Sequence, residues 1–79
     1  MKPVTMYTTM VCPFCTMAKR LLASKGITDI QEIRIDQDPA ERDAMMARTG
    51  RRTVPQIFVG EQHIGGFTDF YDFVINQGL

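Results

Sequence analysis

Apolar Val4 and Met6 alternate with Thr5 and Tyr7 at the start of the chain, the two-residue period of a strand with one face towards a core. The period then changes. From about Pro13 to Lys25, Phe14, Met17, Ala18, Leu21 and Leu22 recur at three- and four-residue spacings, which predicts a helix with one apolar face and Gly26 as its stop. Gln31 to Asp36 alternates again, with Ile33 and Ile35 set between Glu32, Arg34 and Asp36, so a second strand is expected with one solvated face. Strand, helix and strand within about 35 residues form a βαβ unit, whose crossover is right-handed.

Asp38-Pro39-Ala40-Glu41 combines three helix-start signals: an acid at the N-cap, proline at the first helical position and a glutamate three residues past the cap. A second helix is expected to run to about Thr49 and stop at Gly50. Gln56-Ile57-Phe58-Val59 and Gln62-His63-Ile64 flank Gly60-Glu61 and read as a hairpin, with Gly65-Gly66 closing its second strand. In the last segment Thr68 is the expected N-cap, Asp69 and Asp72 fall in the first turn, and Phe70, Phe73 and Val74 form the buried stripe before Gly78. The order is β-α-β-α-β-β-α. Without an internal repeat, low-complexity tract or linker, residues 1–79 are expected to form a single domain.

Composition narrows the class of function. A chain of 79 residues that is 44% hydrophobic has only a small core. Its nine basic and nine acidic residues cancel and form no long run of one sign, which argues against nucleic acid or a membrane surface as partner. Met1-Lys2-Pro3-Val4 does not begin a signal peptide and no segment has the length of a membrane span, so a cytoplasmic protein is expected. In a reducing compartment, two neighbouring cysteines serve catalysis or metal binding more often than permanent cross-linking.

Those cysteines are Cys12 and Cys15, in Cys12-Pro13-Phe14-Cys15 at the predicted start of the first helix. One helical turn sets their Cα atoms roughly 5 to 6 Å apart, within disulfide range. Unpaired N–H groups and the positive end of the helix dipole favour a thiolate at Cys12, which makes Cys12 the nucleophile and the less exposed Cys15 the resolving thiol. A zinc site would need two further ligands, and His63 is the only candidate. His63 itself reads as a surface strand residue, and the six methionines as adaptable core filler.

Thr53-Val54-Pro55, just before a strand, is the second signal. A cis Val54–Pro55 bond would turn the Val54 backbone outward, free to pair with an extended peptide. An ordinary trans proline at a sheet edge is the alternative, and the cysteine pair upstream favours cis. After Gly65-Gly66, the free N–H groups of a helix capped by Thr68 would hold a small carboxylate, with Asp69 placed to accept from an ammonium group. That combination suits an amino-acid end such as the γ-glutamyl portion of glutathione.

Taken together, the order of elements, Cys12-Pro13-Phe14-Cys15, Thr53-Val54-Pro55 and Gly65-Gly66-Phe67-Thr68-Asp69 resemble a bacterial dithiol glutaredoxin over nearly the whole chain. The resemblance implies an α/β, thioredoxin-like fold with a four-stranded mixed sheet flanked by helices. It implies glutathione-dependent reduction of protein disulfides and of protein–glutathione mixed disulfides, with glutathione as co-substrate, glutathione reductase restoring it and no metal. Ribonucleotide reductase is among the protein substrates it brings into view, and a monomer is expected. By position, Cys12 would take the glutathionyl group and Cys15 would resolve protein disulfides. Glutathione would be bound by Phe14, Arg42, Thr53, Val54, Pro55, Gly66, Phe67, Thr68 and Asp69, with the Val54 backbone on its cysteinyl part, Thr68 and Asp69 on its γ-glutamyl end, and Arg42 near its glycine carboxylate.

The chain departs from that family in three places. Thr9 stands where many members carry a lysine that supports glutathione and the thiolate, leaving Arg42, Arg51 or Arg52 to supply the charge. Phe14 replaces the commoner tyrosine, and Thr68 a commoner acid. A redoxin recharged by thioredoxin reductase and a dimeric iron–sulfur carrier are the rival functions; Pro13 argues against the carrier, whose relatives usually have a smaller residue there.

Overall fold

Seven elements follow one another in the order that the hydrophobic pattern predicts: β1 (Val4–Thr8), α1 (Pro13–Ser24), β2 (Ile30–Arg34), α2 (Pro39–Thr49), β3 (Gln56–Val59), β4 (Gln62–Gly65) and α3 (Phe67–Asn76). The structure, a computed structural model, describes residues 3–78; Met1, Lys2 and Leu79, at the ends of the expected domain range, lie outside the described residues. The strands form one mixed sheet in the order β2-β1-β3-β4. β1 runs parallel to β2, as the α1 crossover requires, and antiparallel to β3, which pairs antiparallel with β4. In the hairpin, Val59 faces Gln62 across Gly60-Glu61, and Gly60 has φ +61°. A positive φ at the first loop residue alone is the pattern of a type II′ turn.

Helix ends follow the local chemistry. α1 stops one residue earlier than expected: Gly26, at φ +78°, donates to the Ala23 carbonyl at 2.9 Å and Ile27 donates to Leu22 at 3.0 Å. These two bonds are the Schellman pattern, and Ile27 packs onto the same core as Leu22. At the start of α2 the Asp38 carboxylate accepts from the Ala40 N–H at 3.0 Å, and Gly50 closes the helix with φ +70°. β2 is shorter than the expected Gln31–Asp36, although the Ile35 N–H extends its ladder by donating to the Thr8 carbonyl at 3.0 Å. α3 corrects one expectation. Its N-cap is Gly66, and Thr68 lies one turn-step inside the helix at the second helical position.

The sheet separates two cores. Towards α1 and α3, Val4, Met6, Ala18, Leu22, Ile57, Val59, Phe70 and Val74 are buried together. On the α2 face the cluster is smaller: Tyr7, Ile35, Met45 and Phe58. β1 is a central strand with a layer on each face, so Tyr7 is buried as well as Met6. Arg48 closes the smaller core by laying its guanidinium 3.9 Å from the Phe58 ring centroid and donating to the Tyr7 hydroxyl at 3.1 Å. Opposite, the buried Thr8 hydroxyl donates to Glu32 at 2.6 Å, and Lys19 pairs with the same carboxylate at 2.7 Å, joining α1 to β2.

Candidate active site

β1 delivers the chain to Thr8, and the segment from Thr9 to Val11 carries it across the mouth of α1 to Cys12. Cys12 has extended φ and ψ of −150° and 94° and is itself the N-cap of α1, with Pro13 at the first helical position, where its missing N–H sacrifices nothing. The Cys12 sulfur accepts from the Cys15 backbone N–H at 3.1 Å. The two cysteines are joined in a disulfide, with their Cα atoms 5.2 Å apart. Cys15 is 2% exposed and Cys12 8%, beneath a rim made of exposed Met10, Val11 and Phe14.

The approach to Cys12 is tied to the end of β2. Arg34 donates to both carboxylate oxygens of Asp36 at 2.7 Å each, and the Met10 N–H donates to the same side chain at 3.1 Å. The fork from Arg34, helped by that amide, lowers the Asp36 carboxyl from the usual 3.8 to about 2. A depressed carboxyl stabilises the fold above the unfolded value, and that contribution is lost as pH falls through the folded one. The melting temperature of wild type should therefore exceed that of Asp36→Asn near neutrality, and the gap should close between pH 3.8 and about 2. Melts of both proteins over that range check it; a gap that persists in full at the acid end would contradict the ion pair.

Phe14, Thr53, Val54, Pro55, Gly66, Phe67 and Thr68 line a cleft of about 130 Å³ beside the disulfide loop. The Phe14 and Phe67 rings stack at 6.1 Å, and Phe67 leads on to Tyr71 at the same spacing. Val54–Pro55 is cis. Among the described residues neither the N–H nor the C=O of Val54 has a main-chain partner, while its side chain packs against the smaller core. At the cleft's edge, next to Thr68, the Asp69 carboxylate folds back to accept from the Gly66 N–H at 3.1 Å and from Arg51 at 3.2 Å. Gly65, at φ +125°, makes room for this, since a Cβ there would overlap the Asp69 carboxylate. The Gly66 amide first, and then Arg51, hold the Asp69 carboxyl below its ordinary range.

Eight of the nine residues expected to bind a ligand thus meet around one cleft or at its edge; Arg42 does not, being exposed on α2 and absent from the lining. Of the three arginines considered, Arg51 is the one that reaches Asp69. His63 departs from the reading of it as a surface residue: it is partly buried, its ring tilted 33° against Phe58 at 5.0 Å, and it is bonded through Nε2 to Gln56 Oε1 at 2.7 Å. Burial lowers its pKa, and Arg51 adds to the effect. Gln56 belongs to none of the motifs, although a glutamine opening the otherwise apolar Gln56-Ile57-Phe58-Val59 is a visible irregularity. Among the described residues no group of three or more His, Cys, Asp and Glu side chains is placed to hold a metal ion, and no helix is long and apolar enough to cross a membrane.

The glutaredoxin family model matches residues 4–64. The chain is 53% identical over 79 residues to a glutaredoxin of Neisseria meningitidis serogroup A, spanning all of this chain and 93% of that one. It is 49% identical, again over its full length, to glutaredoxin 3 of Escherichia coli K12, covering 94% of it. Among solved structures, a buckwheat glutaredoxin–glutathione complex superposes with a TM-score of 0.86 at 31% identity, over 99% of this chain and 73% of that one. The solution structure of a Brucella melitensis glutaredoxin gives 0.80 at 43% identity, over 98% and 83%. The four-stranded mixed sheet with its helices is thus the thioredoxin-like fold, and a Cys-x-x-Cys pair at a helix N-terminus on that fold makes the protein a thiol–disulfide oxidoreductase. Sequence likeness over the whole length and shape likeness over nearly all of it agree, and the chain belongs to the glutaredoxin family.

Proposed function

We propose that this protein reduces protein disulfides and protein–glutathione mixed disulfides at the expense of glutathione. The observation that carries the reading is the placement of Cys12, whose sulfur meets the Cys15 N–H beside a cleft that Val54 lines with its backbone unpaired, with Asp69 at the cleft's edge. In the dithiol form the same amide and the helix dipole would stabilise the Cys12 thiolate. That thiolate attacks one sulfur of the substrate disulfide, forming a Cys12 mixed disulfide and expelling the other sulfur as a thiolate. With a protein disulfide, Cys15 then attacks Cys12, releases the reduced substrate and leaves the Cys12–Cys15 disulfide. Two glutathione molecules reopen it, giving up two electrons and ending as glutathione disulfide. With a glutathionylated protein, the glutathionyl group stays on Cys12 and one further glutathione removes it.

The cleft suits that ligand chemically. Val54 would pair its N–H and C=O with the cysteinyl portion as a short added strand. The first N–H groups of α3 would face the γ-glutamyl carboxylate. Both bonds to Asp69 fall on Oδ2, so Oδ1 is left to accept from the ammonium group. Phe14 and Phe67 would cover the side on which the cysteinyl sulfur joins Cys12, and Arg51 would bring the positive charge absent at Thr9. The buckwheat relative, solved with glutathione, lends support from outside the chain. Glutathione must be kept reduced for the cycle to run, which fits the cytoplasmic setting expected from the sequence.

A coupled assay tests the reading directly. Turnover of a glutathionylated peptide is expected with glutathione, glutathione reductase and NADPH, and not with thioredoxin reductase in their place. The reverse result would reassign the protein to the class of redoxins recharged by thioredoxin reductase.

A further inference from the structure

Gln56 is completely buried, yet three of its neighbours in β3 are apolar and an apolar residue would pack there without a polar group to satisfy. Its amide is fully engaged. Nε2 donates to the Thr53 carbonyl at 3.1 Å and lies 3.2 Å from the Thr53 hydroxyl, while Oε1 meets His63 Nε2 at 2.7 Å. The orientation follows from the partners: a carbonyl only accepts, so the NH2 end must face Thr53 and the oxygen must face His63. His63 therefore carries its hydrogen on Nε2 and holds the Gln56 oxygen in place.

The Thr53 carbonyl and the Val54 N–H belong to one peptide unit. In a trans peptide these two groups point in opposite directions within one plane. The Thr53–Val54 bond is trans, the Val54–Pro55 bond being the cis one among the described residues. A hydrogen bond that draws the Thr53 carbonyl into the fold thereby turns the Val54 N–H outward, and that N–H has no main-chain partner of its own. Thr53 is otherwise exposed, and no other residue among those described bonds its carbonyl.

We propose that Gln56 is a positioning residue: by holding the Thr53 carbonyl it fixes the Thr53–Val54 peptide plane and aims the Val54 N–H into the cleft, with His63 locking the amide that does so. The inference rests on the reading that Val54 pairs with the bound substrate. It assigns to a buried strand residue, outside the cleft lining, a share of the substrate affinity.

Gln56→Met removes all three bonds at nearly constant volume. Gln56→Leu removes the same bonds with a differently shaped apolar side chain, so it carries the test if the first variant folds poorly. With a glutathionylated peptide both are expected to raise KM about tenfold, more than they lower kcat, because a lost buried hydrogen bond is worth about one decade of affinity. The pH profile of Cys12 alkylation should not shift. Val74→Ala, a core truncation in α3 away from the cleft, is the structural control and should lower Tm without moving KM. A KM within about twofold of wild type in both Gln56 variants would overturn the proposal, as would a KM that moves only in step with the Cys12 profile. Wild type that fails to turn over with glutathione sinks the preceding functional reading and not this one. The same KM comparison is then made on a peptide disulfide with dithiothreitol as reductant, and an unchanged KM there overturns the positioning role.

Discussion

Cys12→Ser is expected to abolish reduction of protein disulfides and removal of glutathione alike, by about a thousandfold or more, because no other nucleophile replaces the thiolate. Cys15→Ser should separate the two reactions. It eliminates reduction of protein disulfides through the dithiol route, yet leaves deglutathionylation within about tenfold of wild type, since that route needs a single thiol. The structure adds a reason for the sparing. The bond that supports the Cys12 sulfur comes from the main-chain N–H of residue 15, which serine retains. Parallel assays of both variants on a protein disulfide and on a glutathionylated peptide check the assignment. Equal losses in the two variants on both substrates would mean that the roles of the cysteines are wrongly divided.

Phe70→Ala should be the most destabilising single truncation near the site, at about 3–5 kcal/mol. Native stability for a chain of 79 residues is about 4–12 kcal/mol, so the variant loses a large share of it. Phe70 is wholly buried in the larger core, packed with Val4, Met6, Leu22 and Ile57, and follows directly on Asp69. It is what seats the start of α3 against the sheet. Ile75→Ala, on the exposed face of the same helix, should change stability by no more than about 0.5 kcal/mol. Denaturant unfolding of the two proteins measures the difference; a loss below about 1 kcal/mol for Phe70→Ala would mean that α3 is not docked through this ring.

Local patterns carried most of the architecture into view. Period-two and period-3.6 spacings placed all seven elements, and the Asp38-Pro39 and Gly50 signals fixed both ends of α2, because each acts through bonds to residues within a turn of itself. The cysteine pair was legible for the same reason: its separation and its position at a helix start are both local. What escaped was non-local or ambiguous in kind. Thr68 looked like a cap because threonine can accept from the next turn, but Asp69 reaches back to the Gly66 N–H and a glycine serves instead. Tyr7 and Thr5 looked alike as polar alternates until β3 was laid beside β1 and a second helix layer covered Tyr7. Gln56 and His63 meet only across the β3–β4 pairing, and Arg51 finds Asp69 across the interval between two elements distant in sequence. No periodicity reports such meetings.

The unequal layers on the two faces of the sheet have a dynamic consequence. Eight buried residues anchor α1 and α3, whereas four hold the α2 side, helped by one arginine laid over two rings. Transient opening is easiest where least apolar surface must be re-wetted, so α2 is the layer that lifts first. The sulfurs and Asp69 ride on the more firmly anchored half, whereas Val54, packed on the smaller core, belongs to the half that opens.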